Sequence, residues 1–146
     1  MADSIRGQIV NALVTRFGII LKTGGYETDF GQKVELWPTS PLSKTELPAI
    51  AVFDMTEETS EAAMGRHQVW LGVQLKLLSS SPTEVRKGIA DISKAIKTDP
   101  KFGGLVLYVE PPKNEMIVEG AENIFSGAKI EFRLLFHIPA WNPYSL

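Results

Sequence analysis

Residues 128–138 read A-K-I-E-F-R-L-L-F-H-I. Ile130, Phe132, Leu134, Phe136 and Ile138 fall at every second position, with Lys129, Glu131, Arg133, Leu135 and His137 between them. Successive side chains on a strand point to opposite faces, so this stretch predicts a strand with one apolar and one mostly polar face. Pro139 has no N–H to give to a ladder and marks its end. The other segments then divide into those that pair with this strand and those that cover its apolar face.

Residues 67–78 repeat the pattern. Val69, Leu71, Val73, Leu75 and Leu77 line one face, and Gln68, Trp70, Gly72, Gln74 and Lys76 the other. Trp70 thus stands on the polar side, either as part of a partner surface or packed under a loop. Residues 47–55 (LPAIAVFDM) are mostly apolar and β-prone, which predicts an inner strand buried on both faces and antiparallel to the next. Between them, 56–66 (TEETSEAAMGR) carries three Glu residues and breaks the alternation. It is expected to be a long hairpin loop, solvated or ordered by a partner, with the solvated reading ahead. Shorter strands are expected at 34–37, 105–109 and 116–118, with turns at 98–104, at Asn114 and at 120–127.

Two helices are expected. In 4–22, Ile5, Ile9, Ala12, Leu13, Phe17 and Ile20 recur at three- and four-residue steps, Asp3 or Ser4 caps the start, and Gly24-Gly25 stops it. Arg16 lies at the edge of that stripe, its stem packed and its head reaching out. Residues 24–31 (GGYETDFG) form a turn in which Asp29 bonds its own backbone; no strand precedes them and no Lys-Ser follows, so they do not make a phosphate loop. In the second helix Ser81, Pro82 and Glu84 make a capping-box pattern, and Val85, Ile89, Ile92 and Ile96 make the stripe. Burial of Ile89 predicts a cost of about 2–5 kcal/mol for Ile89→Ala. Arg86, Lys87, Asp91, Lys94 and Lys97 ring the outside, and Glu84 and Asp91 among the lysines favour a solvated mixed-charge face over a nucleic-acid one.

The whole, 1–146, reads as one domain of α+β class: a two-layer fold with a mostly antiparallel mixed β-sheet and two helices packed on one face. Lys and Arg number 15 against 17 Asp and Glu, which disfavours a dedicated nucleic-acid binder. Cysteine is absent, so disulfides, thiolate nucleophiles and Cys-based zinc sites are excluded. No apolar run reaches the roughly 18–20 residues of a membrane span, and the first residues show no signal-peptide pattern, so a protein kept in the cytoplasm is expected. His67 and His137 stand far apart at strand positions, without partners at metal-motif spacing, and read as structural. No nucleophile elbow, phosphate-binding loop or dinucleotide fingerprint is found, so no catalysis, cofactor or metal is expected.

Several landmarks occur in a particular order: an amphipathic first helix, GGYETDFGQKV (24–34), LPAIAVF (47–53), the strand 69–77, ADISKAI (90–96), DPKFGGL (99–105) and PAWNPY (139–144). Together they resemble the tail terminator (minor tail, or tail-completion) proteins of long-tailed bacteriophages and prophages. The resemblance implies a structural virion protein that assembles in the host cytoplasm as a ring, usually a hexamer, on the head-proximal end of the tail tube. There such a ring ends tube polymerisation and offers the surface for head–tail joining. The partners implied are further copies of the chain, the tail-tube protein and head–tail connector proteins, with DNA passing through rather than bound specifically, and no membrane. A different phage neck or head-completion protein is one alternative, and a small-molecule-binding or enzymatic α+β domain another.

Rings need contacts between unlike patches of identical subunits, and exposed aromatic residues are enriched at interfaces. On residue chemistry the candidates for oligomer or tube contact are Glu57, Glu58, Glu61, Trp70, Arg133, Trp141 and Tyr144. The aromatic tail, 140–146, either folds back on the domain or docks on a neighbour.

Overall fold

The computed structural model describes residues 3–40, 44–119 and 125–146. It is an α+β fold in which helices α1 (Ile5–Phe17) and α2 (Pro82–Thr98) cover one face of a six-stranded sheet. The strands are β1 (Val34–Leu36), β2 (Ala49–Ala63), β3 (Arg66–Ser79), β4 (Tyr108–Val109), β5 (Lys113–Glu119) and β6 (Phe125–Pro139). β1 runs parallel to β2; β2, β3 and β6 are successively antiparallel, and β4 and β5 share the far edge of β6. β6, the strand read from the alternation, therefore lies inside the sheet and ends at Pro139 as expected.

The core forms where the apolar faces of β3 and β6 meet the helices. Leu71, Leu75, Leu77, Ile130 and Leu134 are fully buried there, together with Ile9, Leu13 and Phe17 of α1 and Val85 and Ile92 of α2. The first four residues of β2, 49–52, are buried on both faces, as their unbroken apolar run predicts. Gly88 lets α2 approach closely: a Cβ at that position would meet the buried Phe30 ring at 2.4 Å.

Ser4 caps α1 by accepting from the Gly7 amide, but the helix ends at Gly18 rather than at Gly24-Gly25. The chain there is met by a second backbone segment: the Gly31 amide donates to the Ile20 carbonyl, and a Cβ on Gly31 would lie 2.7 Å from the carbonyl oxygens of Phe17 and Gly18. A longer helix would use those groups internally, so tertiary packing stops it short of the glycines. Asp29 does not bond its own backbone; its carboxylate accepts the Lys22 amide. The Arg16 head does not reach out as expected: its side chain is only 14% exposed, because the guanidinium packs onto the last turn of α2. It donates to the carbonyls of Ala95 and Asp99 and stacks over Phe102 at 4.3 Å.

The Ser81 cap of α2 is present, its hydroxyl accepting the Glu84 amide. Glu84 does not return to the Ser81 amide. Ser79 stands between, accepting from the Ser81 N–H and donating to the Glu84 carboxylate. The buried stripe is also broader than expected. It takes in Gly88, Asp91 and Ala95, while Ile89 is only half-buried. Asp91 is not on the outer ring: it is 3% exposed and accepts from the amides of Glu27 and Thr28 and from the Thr28 hydroxyl at 2.7 Å. A carboxylate with three donors is satisfied when buried, which offsets the cost of burial that placed it outside in the sequence reading.

The expected loop at 56–66 is strand. β2 continues to Ala63, Met64 and Gly65 make a tight turn with Gly65 at φ +77°, and β3 begins at Arg66. Residues 55–63 are exposed on both faces, so no burial alternation could show in the sequence; pairing with β3 alone keeps them extended. The expected strand at 105–109 shortens to β4, because the Val106 amide turns back to the Lys101 carbonyl. The short strand at 116–118 lengthens to β5, and Asn114, expected in a turn, is strand because it pairs with Ile130 of β6. Of the turn expected at 120–127, residues 120–124 lie outside the described residues and 125–127 belong to β6.

Candidate functional site

Past residue 54 β2 runs on as an exposed outer strand, the arm: 55–63 are bare on both faces, while β3 beside them stays in the core and paired with β6. A β-bulge at Met55 interrupts the register between Asp54 and Thr56, which reassigns the side chains of 56–61 to the opposite face until a second shift between Glu61 and Ala63. Thr56 then lies across from Gly72 and Glu58 from Trp70 on the sheet face without helices, while Glu57 and Glu61 turn to the helix side. Gly72 leaves room opposite the bulge for the Thr56 hydroxyl, which a Cβ there would meet at 2.1 Å and push into another rotamer.

On the helix side Arg6 of α1 binds the root of the arm. Its guanidinium donates to the Asp54 carboxylate at 2.8 Å and lies 3.6 Å from Glu57. The Trp37 indole donates to the other Asp54 oxygen at 2.7 Å. Burial pushes the Asp54 carboxyl up, but the donors Trp37 and Arg6 and the charge on Arg6 together outweigh it, and the group sits below the ordinary range.

On the open face Trp70, Arg133, Tyr108 and Glu110 form one cluster. The Arg133 guanidinium stacks over Trp70 at 4.4 Å, and Tyr108 meets the same ring edge-on at 6.3 Å. Arg133 also donates through Nε and Nη2 to one Glu110 oxygen, at 3.1 and 2.6 Å. That hydrogen bond holds the Glu110 carboxyl below its usual range and raises Arg133 in turn. An open hollow of about 570 Å³ lies beside the cluster, lined by Thr56, Gly72, Gln74, Glu110, Glu131 and Arg133. Trp70 is half-buried by these neighbours, so it both packs and faces outward.

The tail folds back. The Ile5 amide donates to the Pro143 carbonyl, the Ala140 amide to the Gly65 carbonyl, and Trp141 lies edge-on against His67 at 4.9 Å. Trp141 is nonetheless 88% exposed, at φ +62°, in the left-handed region a bulky residue rarely adopts. Tyr144 is exposed as well.

Of the seven candidates spread over residues 57–144, Glu57, Glu58, Glu61, Trp70 and Trp141 lie in the hairpin half of the sheet and Arg133 at its middle, opposite Gly72. Glu58, Trp70 and Arg133 lie on the open face, Glu57, Glu61 and Trp141 on the helix side, and Tyr144 in the tail beyond. Tyr108 and Glu110 were not among them. Only the pairing of β4 with β6 brings them to Arg133, and a two-residue strand leaves no periodic signal. Among the described residues no group of His, Asp or Glu side chains is placed to hold a metal ion. No helix of the described chain is long and apolar enough to cross a membrane. No family model matches the sequence, and no curated protein matches it.

Proposed function

We propose that this chain is a structural subunit of a phage tail terminator ring, which caps the tail tube, ends its polymerisation and offers the surface for head–tail joining. The observation that carries the reading is the exposed outer strand of the sheet. Residues 55–63 of β2 are exposed on both faces and paired on one edge only among the described residues, with Trp141 open beside their tip. A long bare strand edge is a liability to a lone monomer and an asset to a subunit whose neighbours cover it. The ordered landmarks that resemble tail terminators supply the kind of assembly.

The test is addition of the purified protein to polymerising tail-tube protein, followed by electron microscopy of tube lengths and native mass spectrometry. Shorter tubes carrying a ring at one end are expected. Unchanged tube lengths, with only monomers present at working concentration, would remove the reading.

A further inference from the structure

Every charge that α2 presents to solvent is positive. Arg86, Lys87, Lys94 and Lys97 are exposed, with Ala90 and Ser93 between them. The two acids of the helix point elsewhere: Asp91 is buried against Glu27 and Thr28, and Glu84 is bonded to Ser79. Lys94 is partly engaged, with the Gly25 carbonyl and the Tyr26 ring. Among the described residues Arg86, Lys87 and Lys97 make no ion pair, and neither do Glu58 and Glu61 on the arm.

The arm is the complementary surface. Residues 55–63 carry three carboxylates and no cation. The two surfaces belong to different ends of β3: the arm turns at Gly65, just before the strand begins, while α2 follows its far end at Ser79. Unlike patches at different ends of one molecule are what a head-to-tail contact between identical subunits requires.

We propose that the cationic face of α2 is the docking site for the acidic arm of a second copy of this chain, so that each subunit gives an arm to one neighbour and a helix to the other. The inference rests on the ring reading above and names the contact that would close it. Opposed charge of this kind steers encounter and fixes which patch meets which.

The test uses the full chain and two charge-reversed variants, with folding checked by circular dichroism and thermal melting. One variant carries Glu58→Lys and Glu61→Lys, leaving Glu57 on Arg6; the other carries Arg86→Glu, Lys87→Glu and Lys97→Glu. Each alone should assemble at least about tenfold more weakly by native mass spectrometry, since like charges then face each other. Mixing the two in equal amounts should restore assembly, because arm and helix are again opposite at every contact of an alternating ring. A chain carrying all five changes should assemble by itself. If either variant forms rings as the unaltered chain does, the docking is wrong while the ring survives. If the unaltered chain stays monomeric with and without tube protein, the ring reading falls and takes the docking with it. Retention of duplex DNA that is lost in the helix variant, with assembly unchanged, would assign the cationic face to nucleic acid and overturn the proposal.

Discussion

Asp54 shows how one side chain ties the arm to the body of the protein. It receives Arg6 from α1 and Trp37 from the segment after β1, so three stretches far apart in sequence meet at one carboxylate. Its pKa is depressed, and the sign of the pH effect follows from that. The stability it contributes is fully present above the unfolded value of about 3.9 and is lost as pH falls through the lower folded value. Asp54→Asn should therefore have a lower urea midpoint than the unaltered chain at about pH 6, and the gap should shrink as pH falls below the unfolded value. A gap that does not change with pH would show that the carboxylate's charge is not what holds the arm. No local pattern announces this residue, because 47–55 reads as an apolar strand and Asp54 as its polar end.

At the level of elements, α2 separates what periodicity reveals from what packing decides. The capping residues and the spacing of Val85, Ile92 and Ile96 predict the helix and its main face. The width of the buried face depends on what lies opposite, here Phe30 against Gly88 and the Glu27–Thr28 amides against Asp91. Ile92 is 1% exposed and Ile89 only half-buried, so the larger cavity belongs to Ile92. Ile92→Ala should cost about 2–5 kcal/mol and Ile89→Ala about 1–2 kcal/mol in urea denaturation, the reverse of the emphasis that the stripe suggests. Equal losses at the two positions would contradict the observed rotation of the helix on the sheet.

For the molecule as a whole, β2 divides into a packed first part and an exposed arm. Among the described residues the arm has one paired edge and little buried apolar surface, whereas β3 and β6 lie within the sheet and line the core. Local opening follows such differences. In hydrogen exchange on the isolated chain, amides of 55–64 should exchange at least about 100-fold faster than those of 71–77 and 130–136. On assembly with neighbours the arm amides should slow. Protection of the arm equal to the core in the lone chain would mean that it is covered within one subunit and has no need of another.

The sequence by itself determined the class of the fold, the two long alternating strands, the start of both helices and the end of β6 at Pro139. Those features are set by local periodicity, capping and the missing proline N–H, and each can be read within about a dozen residues. The tertiary structure alone decided that 56–63 is strand, that Asp91 faces inward, and that α1 stops at Gly18. It also decided that Glu57, Glu58, Glu61, Trp70 and Trp141, distant in sequence, share one half of the sheet. Each of these depends on hydrogen-bond partners and neighbours distant along the chain, and a segment exposed on both faces carries no periodicity to betray its pairing. The alternation in 128–138 shows which face of that strand is buried. Register across β3, β6 and β4 decides that Arg133, on its other face, is held by Trp70 and Glu110 rather than standing free.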